Sequence, residues 1–213
     1  MFMRLFGTIC LYFFALGVAG YAVFAYGFMP LGSLVHPDMK LSFLAHQAGI
    51  YTHVFAAVVA LALGPFQFSG WIRRNHPRVH RWIGRTYLSV GVGLGGLFGL
   101  YMSTFAYGGL IAKLGFACLA VAWLFTGLRA FQTIRKGAVQ EHRKWVIRNF
   151  SLTLAAVTLR LYLPASMVAE IPFEISYPVI AWLAWVPNLL VAEWYVNRTY
   201  NNSFNPMPLS GTG

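Results

Sequence analysis

Charge is scarce in this chain. Of 213 residues only 10% are Asp, Glu, Lys or Arg, and only five are acidic. A soluble domain carries about 25% charged residues. So sparse a supply excludes an ordinary water-soluble globule and a charge-rich disordered chain. Cysteine is nearly missing too. Cys10 and Cys118 each sit inside a long apolar run, which excludes a disulfide-stapled secreted module and reads as two small buried hydrophobes. The sequence has no paired carboxylates, no nucleophile elbow and no phosphate-cradling glycine loop of the required form, so hydrolytic chemistry has no support.

Apolar surface is what the chain has in excess. Hydrophobic residues make up 58% and aromatics 17%, and mean hydropathy is +0.61. A spanning helix needs about 20 mostly apolar residues. Six segments qualify: Leu5–Phe28, Ile50–Gly70, Thr86–Tyr107, Leu110–Phe131, Val146–Ser166 and Tyr177–Val196. The expected architecture is therefore all-α, a polytopic transmembrane bundle of six spans in one domain covering residues 1–196. A polar tail rich in Asn, Pro, Ser and Gly follows from Asn197 to Gly213. The first apolar run exceeds the 7–15 residues of a signal-peptide core and lacks a clear cleavage site, so it reads as a retained span. The alternative is five spans with the first segment cleaved or peripheral.

The few cations orient the bundle. Arg73, Arg74, Arg78, Arg81 and Arg85 fall between the second and third spans. Arg129, Arg135, Lys136, Arg143, Lys144 and Arg148 flank the connection between the fourth and fifth. With Arg4 and Arg198, thirteen of the sixteen cations lie on one side, and only Lys40 and Lys113 lie on the other. By the positive-inside rule both termini are cytoplasmic. The formal charge of +11 then faces anionic lipid rather than nucleic acid.

Within the spans a few polar groups stand out. Arg160 lies twelve residues beyond Arg148, about 18 Å along a helix, too deep to reach back to the cytoplasmic face. A charge at that depth is expected to face the bundle interior. Asn149, Thr153, Ala156 and Arg160 share its helical face, with Glu170, Glu174 or a bound anion as expected counter-charges. His53 lies near the outer end of the second span, on a stripe with Ala57, Ala60, Gly64 and Gln67. His46 is about 10.5 Å further along that helix, too far to grip one iron beside His53. A haem on His53 would take its other ligand from another helix, with Met102 and Met167 at suitable depth and Arg160 pairing a propionate. The plainer reading is a hydrogen-bonded interior histidine. Gly91, Gly95 and Gly99 form a small-residue stripe with Gly93 and Gly96 beside it, which reads first as a surface for close helix packing and second as a cofactor slot.

The two basic loops resemble one another. His80-Arg81-Trp82-Ile83-Gly84-Arg85-Thr86-Tyr87 and His142-Arg143-Lys144-Trp145-Val146-Ile147-Arg148-Asn149-Phe150 each run His-Arg, Trp, Arg, aromatic, and each opens a span. Spans two and three and spans four and five thus read as two hairpins in a parallel repeat. Trp and Arg at such positions suit the headgroup zone. The functional alternative is that His80 and His142 face one another and hold a metal or haem iron, or an anionic headgroup with their Arg neighbours. His76, four residues before His80, and Glu141 are the further ligands a metal would call on.

These residues carry a resemblance. His53, Gly64-Pro65-Phe66-Gln67, the two His-Arg-Trp-Arg segments and Leu159-Arg160-Leu161 together resemble a bacterial family of predicted membrane proteins with a domain of unknown function, over about Ala45 to Pro164. The architecture is also loosely similar to cytochrome-b-type bundles. That similarity implies haem on membrane histidines, although only His53 lies clearly within a span. Three functions follow as expectations. The first is a membrane redox protein binding b-type haem or a quinone, with His53, Arg160, His80, His142 and Gln67 as site residues. The second is an accessory subunit packed against other membrane subunits. The third is a carrier or binder of a small anion or lipid.

Overall fold

The computed structural model describes residues 2–201, with side chains from Phe6 to Tyr200. Every regular element among them is helical: α1 (Phe2–Gly27), α2 (Pro37–Ala45), α3 (Gln47–Gln67), α4 (Gly70–Asn75), α5 (Pro77–Thr86), a π-helical stretch (Tyr87–Leu94), α6 (Gly95–Ser103), α7 (Gly109–Arg135), α8 (Val139–Thr153), α9 (Ala155–Val168), α10 (Phe173–Leu183), α11 (Val186–Val196) and a closing π turn (Asn197–Asn201). Most of the polar tail, residues 202–213, and the side chain of Arg4 lie outside the described residues.

Five helical runs are long and apolar enough to cross a membrane: Phe6–Gly27, Gln47–Gln67, Gly109–Arg135, Val139–Val168 and Phe173–Tyr200. They correspond to the first, second, fourth, fifth and sixth expected spans. The expected third span, Thr86–Tyr107, departs from a plain helix, being a π stretch followed by the nine-residue α6. Five glycines fall within Gly91–Gly99, and glycine gives a helix little intrinsic support, so packing decides the winding. Gly91 lies directly on α3, where a Cβ would stand 2.8 Å from Ala60 Cβ. Further along, Gly95 abuts Ala57, Gly99 abuts His53, and Tyr101 lies over Gly49. The π–α6 rod therefore runs antiparallel along the length of α3. The stripe expected for close packing packs in that way.

The connection expected between Trp71 and Arg85 is itself helical. Ser69 caps α4 by accepting from the Ile72 amide at 3.3 Å, and Pro77 sits in the first turn of α5. Hydropathy loses these helices because arginine is polar, yet arginine is a good helix former. Two rods are broken. One breaks at Leu154, between α8 and α9. The other breaks at Ala184–Trp185, where Pro187 lacks the amide that would bond back to Leu183 and its ring crowds that carbonyl.

The core joins the two halves of the bundle. Tyr87, Val92, Trp123, Phe150, Leu152 and Trp185 pack with Ala60 in one buried cluster. Outward faces carry exposed apolar side chains such as Phe13, Leu97, Ile111, Phe125 and Leu190, which a bilayer would cover. Cys118 is on such an outward face rather than buried, and both cysteines are free thiols.

Candidate functional site

The bundle encloses a cavity of about 1100 Å³. Its walls come from α1, α2, α3, α6, α7, the end of α8, α9 and α10. It extends from His36, Asp38, Tyr107 and Phe173 at the end remote from the basic loops down to Trp123 and Thr153 in mid-bundle. Drug-sized ligand pockets measure about 300–1,000 Å³ and are mostly apolar with a few placed polar groups. The wall includes His53 and Arg160, both on membrane-spanning helices.

His53 is held by one nitrogen. Its Nδ1 lies 2.8 Å from the Gly95 carbonyl oxygen. A carbonyl only accepts, so Nδ1 carries the proton and Nε2 keeps its lone pair. Nε2 has no hydrogen-bond partner among the described residues. Gly99 makes room for the ring, since a Cβ there would stand 2.9 Å from His53 Cε1 and Nδ1. Two glycines of the stripe thus do more than pack helices: one orients the imidazole and one admits it.

Arg160 approaches from α9. It donates to the Ala156 carbonyl at 3.0 Å, and its guanidinium carbon lies 5.7 Å from the centre of the Tyr21 ring on α1. His53 and Arg160 line the same cavity. The expected carboxylate partners do not appear. Glu170 and Glu174 form no ion pair with Arg160, and the ion pairs of the described residues are His36–Asp38, Lys144–Glu141 and Arg148–Glu193. The acids lie in the connection after α9 and in the first turn of α10, beyond the depth at which Arg160 sits. The wall therefore presents a guanidinium that no carboxylate pairs among the described residues.

Below the cavity a polar network closes the floor. Tyr87 donates its hydroxyl to Asn149 Oδ1 at 2.7 Å and lies 2.9 Å from Thr153 Oγ1. Trp123 Nε1 donates to Thr153 Oγ1 at 2.9 Å, and Asn149 Nδ2 donates to the Trp123 carbonyl and to Thr126 Oγ1, both at 2.8 Å. Asn149 is fully buried. Thr153, Ala156 and Arg160 of the expected polar stripe line the cavity, while Asn149 sits beneath it. Sequence reading missed Trp123 and Tyr87. The available signal was an indole N–H and a phenol inside apolar runs, groups that need partners when buried.

The other site residues gather elsewhere. Gln67, at the far end of the His53 stripe, donates from Nε2 to the His80 carbonyl at 3.5 Å. His142 Nδ1 lies 2.8 Å from the Ala130 carbonyl oxygen, and His142 is near enough to His80 for its charge to be felt there. The structure thus brings His80, His142 and Gln67 together at the basic end and His53 and Arg160 together in the cavity. Burial, with Arg73, His142 and Arg81 nearby, holds the His80 pKa below the usual histidine value. His76 lies tilted against Trp71, and His46 stacks on Phe105 while bonded to the Tyr101 hydroxyl. Of the two methionines considered as haem ligands, both reach the cavity wall. Met102 Sδ rests against Gly49, on the same helix and one turn from His53, and Met167 is 75% exposed. Among the described residues no group of three or more His, Cys, Asp or Glu converges as a metal site.

Long apolar helices with outward apolar faces and a largely apolar interior cavity define a multi-pass helical membrane protein. The chain belongs to the family of predicted membrane proteins DUF2306, whose model matches residues 50–196. The match takes in His53, both His-Arg-Trp-Arg segments and Arg160. No curated protein and no solved structure matches the chain.

Proposed function

We propose that this protein is a membrane redox protein that would hold a b-type haem in the interior cavity, where His53 Nε2 would bind the iron and Arg160 would pair a propionate. The observation that carries the reading is the state of His53. Its Nδ1–H is committed to a backbone carbonyl, which is how metal-ligating histidines are usually fixed, and its other nitrogen is left for a ligand inside a large cavity. Haem iron commonly takes histidine ligation and would supply one-electron transfer there. A quinone is the second reading. It draws on the same pair, with Nε2 accepting from a quinol hydroxyl and Arg160 donating to a carbonyl oxygen. Of the remaining readings, a through-going carrier is less supported, because the cavity ends on the Trp123–Thr153–Tyr87–Asn149 network.

The same proposal takes the chain as six spans with both termini in the cytoplasm of a bacterium. The antiparallel course of the π–α6 rod along α3 supports the sixth crossing. The parallel repeat is supported by matched details. Tyr87 and Phe150 are both buried in one cluster, and Trp82–Arg85 and Trp145–Arg148 make the same cation–π contact, at 5.4 and 4.8 Å.

The test is an oxidised-minus-reduced absorbance spectrum of the full chain, purified in neutral detergent after expression with haem supply. A b-type band that disappears in His53→Ala and survives in His46→Ala is expected. Absence of haem in the wild-type protein sinks the haem assignment. Quinone extraction of the same sample then decides the second reading.

A further inference from the structure

We infer that the basic end of the bundle carries a second site, which binds a phosphate group through His80, Arg73 and Arg81, with His142 beside them. The inference is independent of the cavity. It begins with a polar atom that lacks a partner: His80 Nδ1 is buried and makes no hydrogen bond among the described residues. A buried nitrogen left unsatisfied is unfavourable, so a ligand atom there is favoured. The surroundings define that atom's charge. Arg73 on α4, Arg81 on α5 and His142 on α8 all act on His80, each disfavouring further positive charge.

The acids cannot neutralise this cluster. The chain has five. Glu141 is bonded to Lys144 at 2.8 Å and Glu193 to Arg148 at 2.5 Å, while Asp38, Glu170 and Glu174 belong to the opposite end. The segment Gly70–Thr86 contains no acid at all. A divalent metal fits poorly, because only two imidazoles are present and guanidinium groups would repel it. A phosphate oxyanion fits well. Guanidinium groups bind it with paired N–H donors, and protonated His80 Nδ1 would donate to it.

The frame is built to hold this arrangement. Gln67 braces the His80 backbone, and Gly84 leaves room for Gln67, with a would-be Cβ only 3.2 Å from Gln67 Oε1. His142 is pinned through Nδ1 to Ala130. Trp71 and Trp82, 61% and 66% exposed, flank the arginines as aromatic anchors do at a headgroup layer. The phosphate can come from the headgroup of an anionic phospholipid or from inorganic phosphate in solution.

The experiment uses the full chain, delipidated in neutral detergent. One arm measures inorganic phosphate by ³¹P NMR line broadening. The other measures retention of phosphatidylglycerol against phosphatidylcholine by native mass spectrometry. Saturable binding in either arm is expected, and the arm that responds names the source. His80→Gln and Arg81→Gln each weaken it by about tenfold, as loss of one charge-assisted bond implies. Arg73→Lys, which keeps the charge and loses the fork, weakens it less. Arg135→Gln, an exposed cation of the same end, leaves it unchanged. Circular dichroism melting checks that each variant is folded. No binding in either arm overturns the site, as does equal weakening by Arg135→Gln, which would mean diffuse surface attraction. Binding of Zn²⁺ that depends on His80, with no phosphate binding, overturns it too.

Discussion

At the scale of single residues, His53 is set by two glycines that leave no side-chain mark of their own. Gly95 contributes a carbonyl and Gly99 contributes space. Gly99→Ala is therefore expected to push the imidazole off its bond to Gly95. Cofactor retained per mole of protein should fall several-fold while the helical circular dichroism stays intact, and full retention would refute the role given to Gly99. Arg160→Gln should leave His53 in place and weaken retention of the proposed cofactor, because only the pairing charge is lost. The buried network makes a stability prediction. Asn149→Ala removes three hydrogen bonds and leaves the Tyr87 hydroxyl with Thr153 alone, at about 0.5–1.5 kcal/mol for each bond lost. Thermal denaturation in detergent should show a clear fall in midpoint.

His80 makes a prediction in pH. Its folded pKa is lowered, chiefly by burial and then by Arg73, His142 and Arg81, so the unfolded chain binds the proton first. Its contribution to stability is present above the ordinary histidine pKa, about 6.5. That contribution is lost as pH falls from there toward the folded value. In phosphate-free, delipidated detergent, acidification through this window should lower the melting midpoint more for the wild type than for His80→Gln. Equal slopes would rule this out.

At the scale of elements, the π–α6 rod is the least regular piece and the one that touches most of what matters. It supplies Tyr87 to the network, Gly95 and Gly99 to His53, and Gly91 to the α3 contact. Gly91→Ala brings a Cβ within 3.0 Å of backbone atoms of Ala60, which cannot move aside as a flexible side chain can. A loss of about 1–3 kcal/mol follows from such overpacking. Gly17→Ala on α1 meets nothing within 4 Å and should be neutral or stabilising, since alanine favours helix. The sequence spacing of Gly91, Gly95 and Gly99 was legible as a packing stripe. The π winding was not, because it follows from how closely α3 can be approached and not from any local preference.

At the scale of the whole molecule, charge and cavity occupy opposite ends. Among the described residues the cations of α4, α5 and the α7–α8 connection gather at one end, and the cavity wall reaches His36 and Tyr107 toward the other. The six-span reading is checked by single cysteines introduced into a Cys10→Ser, Cys118→Ser background. A cysteine at Asn75 and one at Gly137 should react with an impermeant maleimide from the same face, and one at Gly108 from the opposite face. Labelling of Asn75 and Gly108 from one face would mean that the π–α6 rod does not cross.

Hydropathy and the clustering of arginines were enough to read an all-helical membrane protein, five of its spanning helices and the basic end, because burial in hydrocarbon constrains composition segment by segment. His53 and Arg160 stood out for the same reason, since polar groups at that depth are costly. What only the tertiary structure decided is their company. Arg160 has no carboxylate, His53 has one nitrogen tied and one free, and Gln67 belongs with His80 and not with His53. Those facts depend on which helices meet across the bundle, and contacts between distant segments leave no periodicity in the chain that a local reading can find.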